Sequence, residues 1–173
     1  RHVIEFGSGS SVKIRILLDA LDNPAAYTAI DISRDHLLES TGLLAAERPD
    51  VPIAAVCADF TKPFTLPRIA DDSAPELGFF PGSSIGNFSR AEAAEFLRGS
   101  HQVLSGSNAG FLIGIDLRKD PAILNAAYND SEGVTAAFNL NLLVRANREL
   151  GADFDLDTFR HHAFYNEDEG RIE

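Results

Sequence analysis

The stretch Val3-Ile4-Glu5-Phe6-Gly7-Ser8-Gly9-Ser10-Ser11 decides how the chain is read. A short apolar run ends in two glycines one residue apart, and a helical pattern starts at about Val12. Strand, glycine turn, helix is the order in which an open α/β sheet builds a nucleotide site. Gly7 can supply the positive φ of such a turn, and Gly9, with no Cβ, lets a ligand approach the backbone. The unbonded N–H groups of the helix start point at the same place. Taken alone, the stretch reads equally well as a tight strand-to-helix turn.

The rest of the chain repeats the alternation. Ile14, Leu17, Leu18 and Leu21 form a helical stripe that Asp22-Asn23-Pro24 stops. Tyr27 to Ile30 is a second strand, ending at Asp31. Ser33 stands where it can cap a second helix whose Leu37, Thr41 and Leu44 share a face. Val51 to Cys57 is a third strand, running into Asp59-Phe60, and residues 61–76 read as a loop. Leu77 to Phe80 is a fourth strand, followed by the glycine-containing loop Pro81 to Asn87. Ser89-Arg90-Ala91-Glu92 is a capping box that starts a helix to about Leu104, with Gly106 as its stop. Phe111 to Ile115 is a fifth strand, apolar throughout and so expected to be buried on both faces. Asp120-Pro121 opens a short helix, and a longer one is expected from about Glu132 to Leu150, terminated by Gly151. Its apolar stripe is Ala136, Leu140, Leu143 and Val144; Asn139, Asn141 and Asn147 receive no role. The tail, Phe159 to Glu173, reads as a strand and turn. The fold class that follows is α/β, a doubly wound, mostly parallel sheet, with its ligand outside the carboxyl ends of the strands.

Composition narrows the function. The chain has 173 residues, 45 % hydrophobic and 24 % charged, with a net charge of −11. That charge argues against nucleic acid and against an anionic membrane surface as partners. A soluble cytoplasmic monomer acting on a small molecule is the expectation. Cys57 is the one cysteine and lies in an apolar run, so it is expected to be buried; it leaves no disulfide and no cysteine-based zinc site. His161 and His162 are adjacent on an expected strand and so face opposite ways, and no metal site is expected. There is no methionine, the chain opens directly on a strand, and it reads as a segment cut at both ends.

Three strand ends carry chemistry. The first is the glycine turn. Asp31 closes the second strand where an acidic residue can accept hydrogen bonds from both ribose hydroxyls. Asp59 and Phe60 close the third, one group suited to an exocyclic amine and one to a ring face. Each acid alone reads as a helix cap; all three together point to an adenosine site. A dinucleotide would favour a third glycine at position 12, where Val12 stands, and Glu5 sits badly beside phosphates. An acid there suits a ligand with a cationic centre, such as S-adenosylmethionine, and Lys13 could reach that ligand's carboxylate. The alternatives are an NAD-linked oxidoreductase and a non-catalytic adenosine-binding module.

Four segments make the reading specific: E-F-G-S-G-S-S-V-K (5–13), C-A-D-F-T-K-P (57–63), F-F-P-G-S-S-I-G-N-F (79–88), and D-L-R-K-D-P on through G-V-T-A-A-F-N-L-N-L-L (116–143). With them the chain resembles the class I S-adenosylmethionine-dependent methyltransferases, and within these the histidine-specific Nα-methyltransferases of ergothioneine biosynthesis. The resemblance covers essentially all of the chain. It implies transfer of three methyl groups, one at a time, to the α-amino nitrogen of histidine, giving hercynine. It also implies that Gly7, Gly9, Lys13, Asp31, Asp59 and Phe60 contact the cofactor, and that Asn87, Tyr128 and the Gly82 carbonyl hold the substrate's amino-acid end. No catalytic acid or base is assigned. The whole chain, 1–173, reads as part of one methyltransferase domain, with 120–173 the start of a substrate-side subdomain. The family's imidazole-reading regions, tyrosines before the first strand and an acid and a serine farther on, lie outside this sequence.

Overall fold

His2–Phe6 forms β1, and every one of its side chains is buried, Glu5 included. A strand so placed must be central, with neighbours on both edges and layers on both faces. The protein, seen in a computed structural model that describes residues 1–69, 71, 73–104 and 108–173, bears this out. β2 (Ala26–Asp31) pairs with one edge of β1 and β4 (Glu76–Phe80) with the other; β3 (Ile53–Cys57) lies outside β2 and β5 (Gly110–Ile113) outside β4. All four pairings are parallel, and the order is β3-β2-β1-β4-β5. The order reverses at β1, so the crevice for a ligand lies beyond the carboxyl ends of β1 and β4.

The two faces separate by side-chain parity along the strands. Val3, Tyr27, Ala29 and Phe79 pack against Ile14 and Leu18 of α1 (Val12–Ala20) and Leu37 and Leu44 of α2 (Arg34–Glu47). Ile4, Phe6, Ile30 and Phe80 pack on the other face against Phe96 of α3 (Arg90–Val103), with Phe60, Phe64, Phe88 and Phe111 around them. Phe96 is the hub of these aromatics, its ring 5.6 Å from Phe6, 5.6 Å from Phe60 and 4.6 Å from Phe80. α3 begins at the expected capping box, with Ser89 Oγ accepting from Glu92 N and Glu92 accepting from Ser89 N. The expected stop at Gly106 lies outside the described residues.

Three expectations are corrected. Cys57 is exposed: it ends β3, a strand at the sheet edge, and its sulfur reaches only the Ile32 carbonyl at 3.7 Å. β5 is not covered on both faces; it is the other edge strand and Leu112 is 47 % exposed. An all-apolar run does not distinguish a central strand from an edge one. His161 and His162 belong to no strand.

Residues 1–116 and 117–173 form two compact units. In the second, Pro121 opens α4 (Pro121–Tyr128) with Asp120 capping Ala122 N at 2.7 Å. α5 (Val134–Leu150) starts two residues later than expected. Gly133 enters it at φ 72°, and the Asp130 carboxylate takes the free N–H groups of Val134 and Thr135 at 2.7 and 2.9 Å. A hydrogen bond from the Thr135 side chain, and then those from the two N–H groups, hold the Asp130 carboxyl down at about 2. Gly151 closes α5 at φ 67°. The tail is a short antiparallel hairpin, β6 (Tyr165–Asn166) and β7 (Arg171–Ile172). No helix among the described residues is long and apolar enough to cross a membrane.

Candidate functional site

The glycine turn is built as its sequence requires. Gly7 and Gly9 take φ 76° and 47°, values a side chain would strain, and Ser11 adopts φ 57° at the start of α1. A Cβ on Gly9 would meet nothing within 4 Å, so the turn opens there. One on Gly7 would touch the Phe60 ring at 3.6 Å. The turn is tied to the tip of β2: Gly7 N and Ser8 N donate to Ile30 O at 2.8 and 3.1 Å, and Gly9 N donates to Asp31 Oδ2 at 3.2 Å. The second Asp31 oxygen takes Ser33 N at 2.9 Å. Asp31 is only half-buried, which leaves lone pairs for a ligand's hydroxyls.

Beneath the turn lies a pair not anticipated from the sequence. Glu5 is buried, 2 % exposed, and Tyr27 donates its hydroxyl to Glu5 Oε2 at 2.6 Å. Burial pushes the Glu5 carboxyl up to about 7, against the opposing pull of the Tyr27 hydrogen bond and of Lys13; nearby Asp31 adds to the rise. Burial, and then the Glu5 charge, raise the Tyr27 hydroxyl above its ordinary range. A tyrosine among the small and aliphatic residues of β2 was the available signal, since it stands two residues from Glu5's partner Ala29 and so on Glu5's face. Ser8 Oγ, also buried in the turn, has no hydrogen-bond partner.

Across the switch point stands the loop after β4. Gly82 takes φ 78° and Ser83 φ 59°, before a 3-10 turn, Ser84–Asn87. Ser83 Oγ accepts Asp116 N at 2.9 Å and Gly114 N donates to Phe80 O at 2.9 Å, so the end of β5 braces the loop. A Cβ on Gly82 would lie 2.7 Å from Lys13 Nζ, and one on Gly114 3.0 Å from Gly82 N. Lys13 thus bridges from the first turn of α1 to this loop. Asn87 is exposed at the end of its 3-10 turn.

Gly7, Gly9, Lys13, Asp31, Phe60 and Gly82 are therefore linked around the ends of β1, β2 and β4. Phe60 lies against Gly7 and packs edge-to-face with Phe80 and Phe96 in the aromatic cluster. Asp59 turns to its own loop, accepting from Thr61 N at 3.0 Å and Thr61 Oγ1 at 2.6 Å and pairing with Lys62 at 2.9 Å, bonds that hold its carboxyl down at about 2. Tyr128 ends α4 in the second unit, exposed. A hollow of about 760 Å³ lies elsewhere, lined by residues 60–69, 71 and 74 and by α3, and shares only Phe60 with these residues. No group of three His, Cys, Asp or Glu among the described residues could hold a metal ion.

Half-buried carboxylate, open glycine, orphaned hydroxyl and buried acid form a donor and acceptor set that fits an adenosyl group carrying a cationic tail. Compared with known proteins, residues 1–173 match the family described as histidine-specific methyltransferase, SAM-dependent. The chain belongs to this family. It is 42 % identical over 99 % of its length to a histidine N-alpha-methyltransferase of Mycolicibacterium smegmatis, of which it covers 53 %. It is 35 % identical over 94 % of its length to ergothioneine biosynthesis protein 1 of Neurospora crassa, covering 20 % of that protein. The chain thus spans about half the length, or less, of the curated relatives it matches. An O-methyltransferase from neocarzinostatin biosynthesis, solved with S-adenosylmethionine, is 18 % identical with a TM-score of 0.49, over 65 % of this chain and 31 % of its own. The fold of this histidine-specific methyltransferase family member rests on its own strand order.

Proposed function

We propose that the protein transfers methyl groups from S-adenosylmethionine to the α-amino nitrogen of histidine, giving the trimethylated product hercynine used in ergothioneine biosynthesis. The observation that carries the reading is the clasp of Gly9 N on the Asp31 carboxylate at the point where the sheet order reverses. The half-buried Asp31 carboxylate suits ribose hydroxyls, and a dinucleotide would favour a third glycine where Val12 stands. Family membership and the 42 % identical relative support histidine as substrate.

S-adenosylmethionine, when bound, supplies an electrophilic methyl on a good leaving group. The chain's residues supply position. Asp31 would hold the ribose hydroxyls, and Asp59 with Phe60 the adenine. Lys13 would hold the methionyl carboxylate. Asn87 and the Gly82 carbonyl would orient the substrate amine, and Tyr128 its carboxylate end. The amine must lose its proton before it can attack, since an ammonium has no lone pair. Aligning an amine with its target is worth roughly 7–11 kcal/mol of barrier in well-oriented reactions. A monomeric, cytoplasmic enzyme with no nucleic-acid or membrane partner is part of the same proposal.

Calorimetry with S-adenosylhomocysteine and with NAD tests the cofactor: heat with NAD alone would end the methyltransferase reading. Incubation with histidine and methyl-labelled cofactor, followed by mass spectrometry, tests the substrate, and three added methyl groups are expected. Asn87→Ala should keep S-adenosylhomocysteine binding and abolish turnover; loss of cofactor binding instead would mean that the division of the site is wrong.

A further inference from the structure

Within the second unit, Tyr128 is held by its main chain rather than by its ring. Its carbonyl is one of the last in α4 and has no partner inside the helix. His161 Nε2 lies 2.7 Å from that oxygen, and His161 Nδ1 lies 3.2 Å from Asn139 Nδ2 on α5. A carbonyl can only accept, so Nε2 must carry the proton. A neutral ring then leaves Nδ1 as an acceptor, which suits the Asn139 amide as donor. The relay Asn139–His161–Tyr128 fixes tautomer and ring orientation together, and joins the end of α4 to α5.

The same segment is stitched to α4 on either side of this bond. Asn129 donates to Ala163 O at 2.7 Å and accepts Ala163 N at 3.1 Å. Asn125 accepts Tyr165 N at 2.7 Å through its side chain. Residues at alternate positions, 161, 163 and 165, are thus bonded along one edge of α4 by side chains standing in for a neighbouring strand. Helix ends ordinarily fray; this one is bonded at the residue where a substrate contact is proposed.

We infer that His161 and Asn139 are positioning residues for the amino-acid substrate, acting through the Tyr128 carbonyl to set where the Tyr128 hydroxyl stands. The inference rests on the proposed role of Tyr128. Neither residue is among the groups assigned to the cofactor, so their loss should raise the KM for histidine and leave cofactor binding alone.

The test is steady-state kinetics with histidine and S-adenosylmethionine, with calorimetric titration of S-adenosylhomocysteine, on the protein and on His161→Ala, His161→Gln and Asn139→Ala. His161→Ala is expected to raise the KM for histidine at least tenfold, with the S-adenosylhomocysteine Kd within twofold of the parent. His161→Gln, whose amide can still donate to the carbonyl, should recover most of the loss, and Asn139→Ala should raise KM about threefold. An unchanged KM in His161→Ala, or a glutamine variant no better than alanine, overturns the inference. If His161→Ala does not fold, Asn139→Ala decides: its side chain is exposed, and an unchanged KM there also overturns the inference. A parent protein silent on histidine but binding S-adenosylhomocysteine overturns the substrate reading and this inference with it. An active parent with indifferent variants overturns this inference alone.

Discussion

In residues 1–116 most of the buried side chains are apolar and come from distant parts of the chain, Val3 clustered with Leu44 and Phe6 against Phe96. In residues 117–173, among the described residues, the one buried apolar side chain is Ala163, and the neighbours are held by amides: Asn125 and Asn129 bond backbone groups of Tyr165 and Ala163 in the tail, and Asn147 bonds the backbone of Phe154. α5 has no buried residue, and Val134, Phe138 and Leu142 are all exposed on it. The first unit is thus stabilised by removing surface from water, the second by directed hydrogen bonds whose net worth is about 0.5–1.5 kcal/mol each. A large truncation should therefore be felt mainly in the first, and a lost amide mainly in the second.

The largest effect is expected from Phe96→Ala. It removes the ring on which five other phenylalanines converge and should cost about 3–5 kcal/mol in urea unfolding. Amide exchange at Phe154 and Ala163 should be little changed. Equal loss of protection there would mean that the two units unfold as one, and the contrast drawn above would fail.

Glu5 sharpens the contrast by pH. Its carboxyl holds its proton to about 7 in the folded protein, against an ordinary value of 4.5. Between those values the folded state binds more protons than the unfolded one. Stability from this group is therefore complete below pH 4.5 and is lost as pH rises through 7, by up to about 3 kcal/mol. Glu5→Gln should flatten that slope in denaturant titrations at several pH values; a slope that survives the substitution belongs to another group.

Asp31→Ala should weaken S-adenosylhomocysteine binding by about 1–3 kcal/mol, read by calorimetry, since hydrogen bonds to a charged acceptor are lost. Exchange in the second unit should not respond. Asn129→Ala is the mirror image and the smallest effect: loss of two backbone bonds to Ala163 should cost about 1–2 kcal/mol, seen as faster exchange at Ala163, with cofactor affinity unaltered.

The same contrast explains what could be read from residues alone. Alternating apolar stripes such as Leu37, Thr41 and Leu44 report burial directly, and all three are buried. The glycine turn and the Ser89 capping box also announce themselves, because few residues meet their backbone demands. Side-chain bonds between remote positions leave no period. Tyr27 on Glu5 and His161 on Tyr128 look like ordinary strand and loop residues until the chain brings them together. Asn139 and Asn147, given no role in the sequence, turn out to bond His161 of the tail and the backbone of Phe154. Cys57 misled for a related reason: an apolar run gives the strand but not its place at the sheet edge, where its thiol is exposed.

Gly114, the residue that follows β5, has a consequence that reaches past its own position. The gap between its Cα hydrogens and the backbone of Gly82 is too narrow for a methyl group to enter without displacement. Any replacement must push on the loop that ends in Asn87, several residues away. Drift at this position is therefore not silent: a single added carbon, on a residue that meets no ligand itself, would be felt as misaim at the far end of a lever.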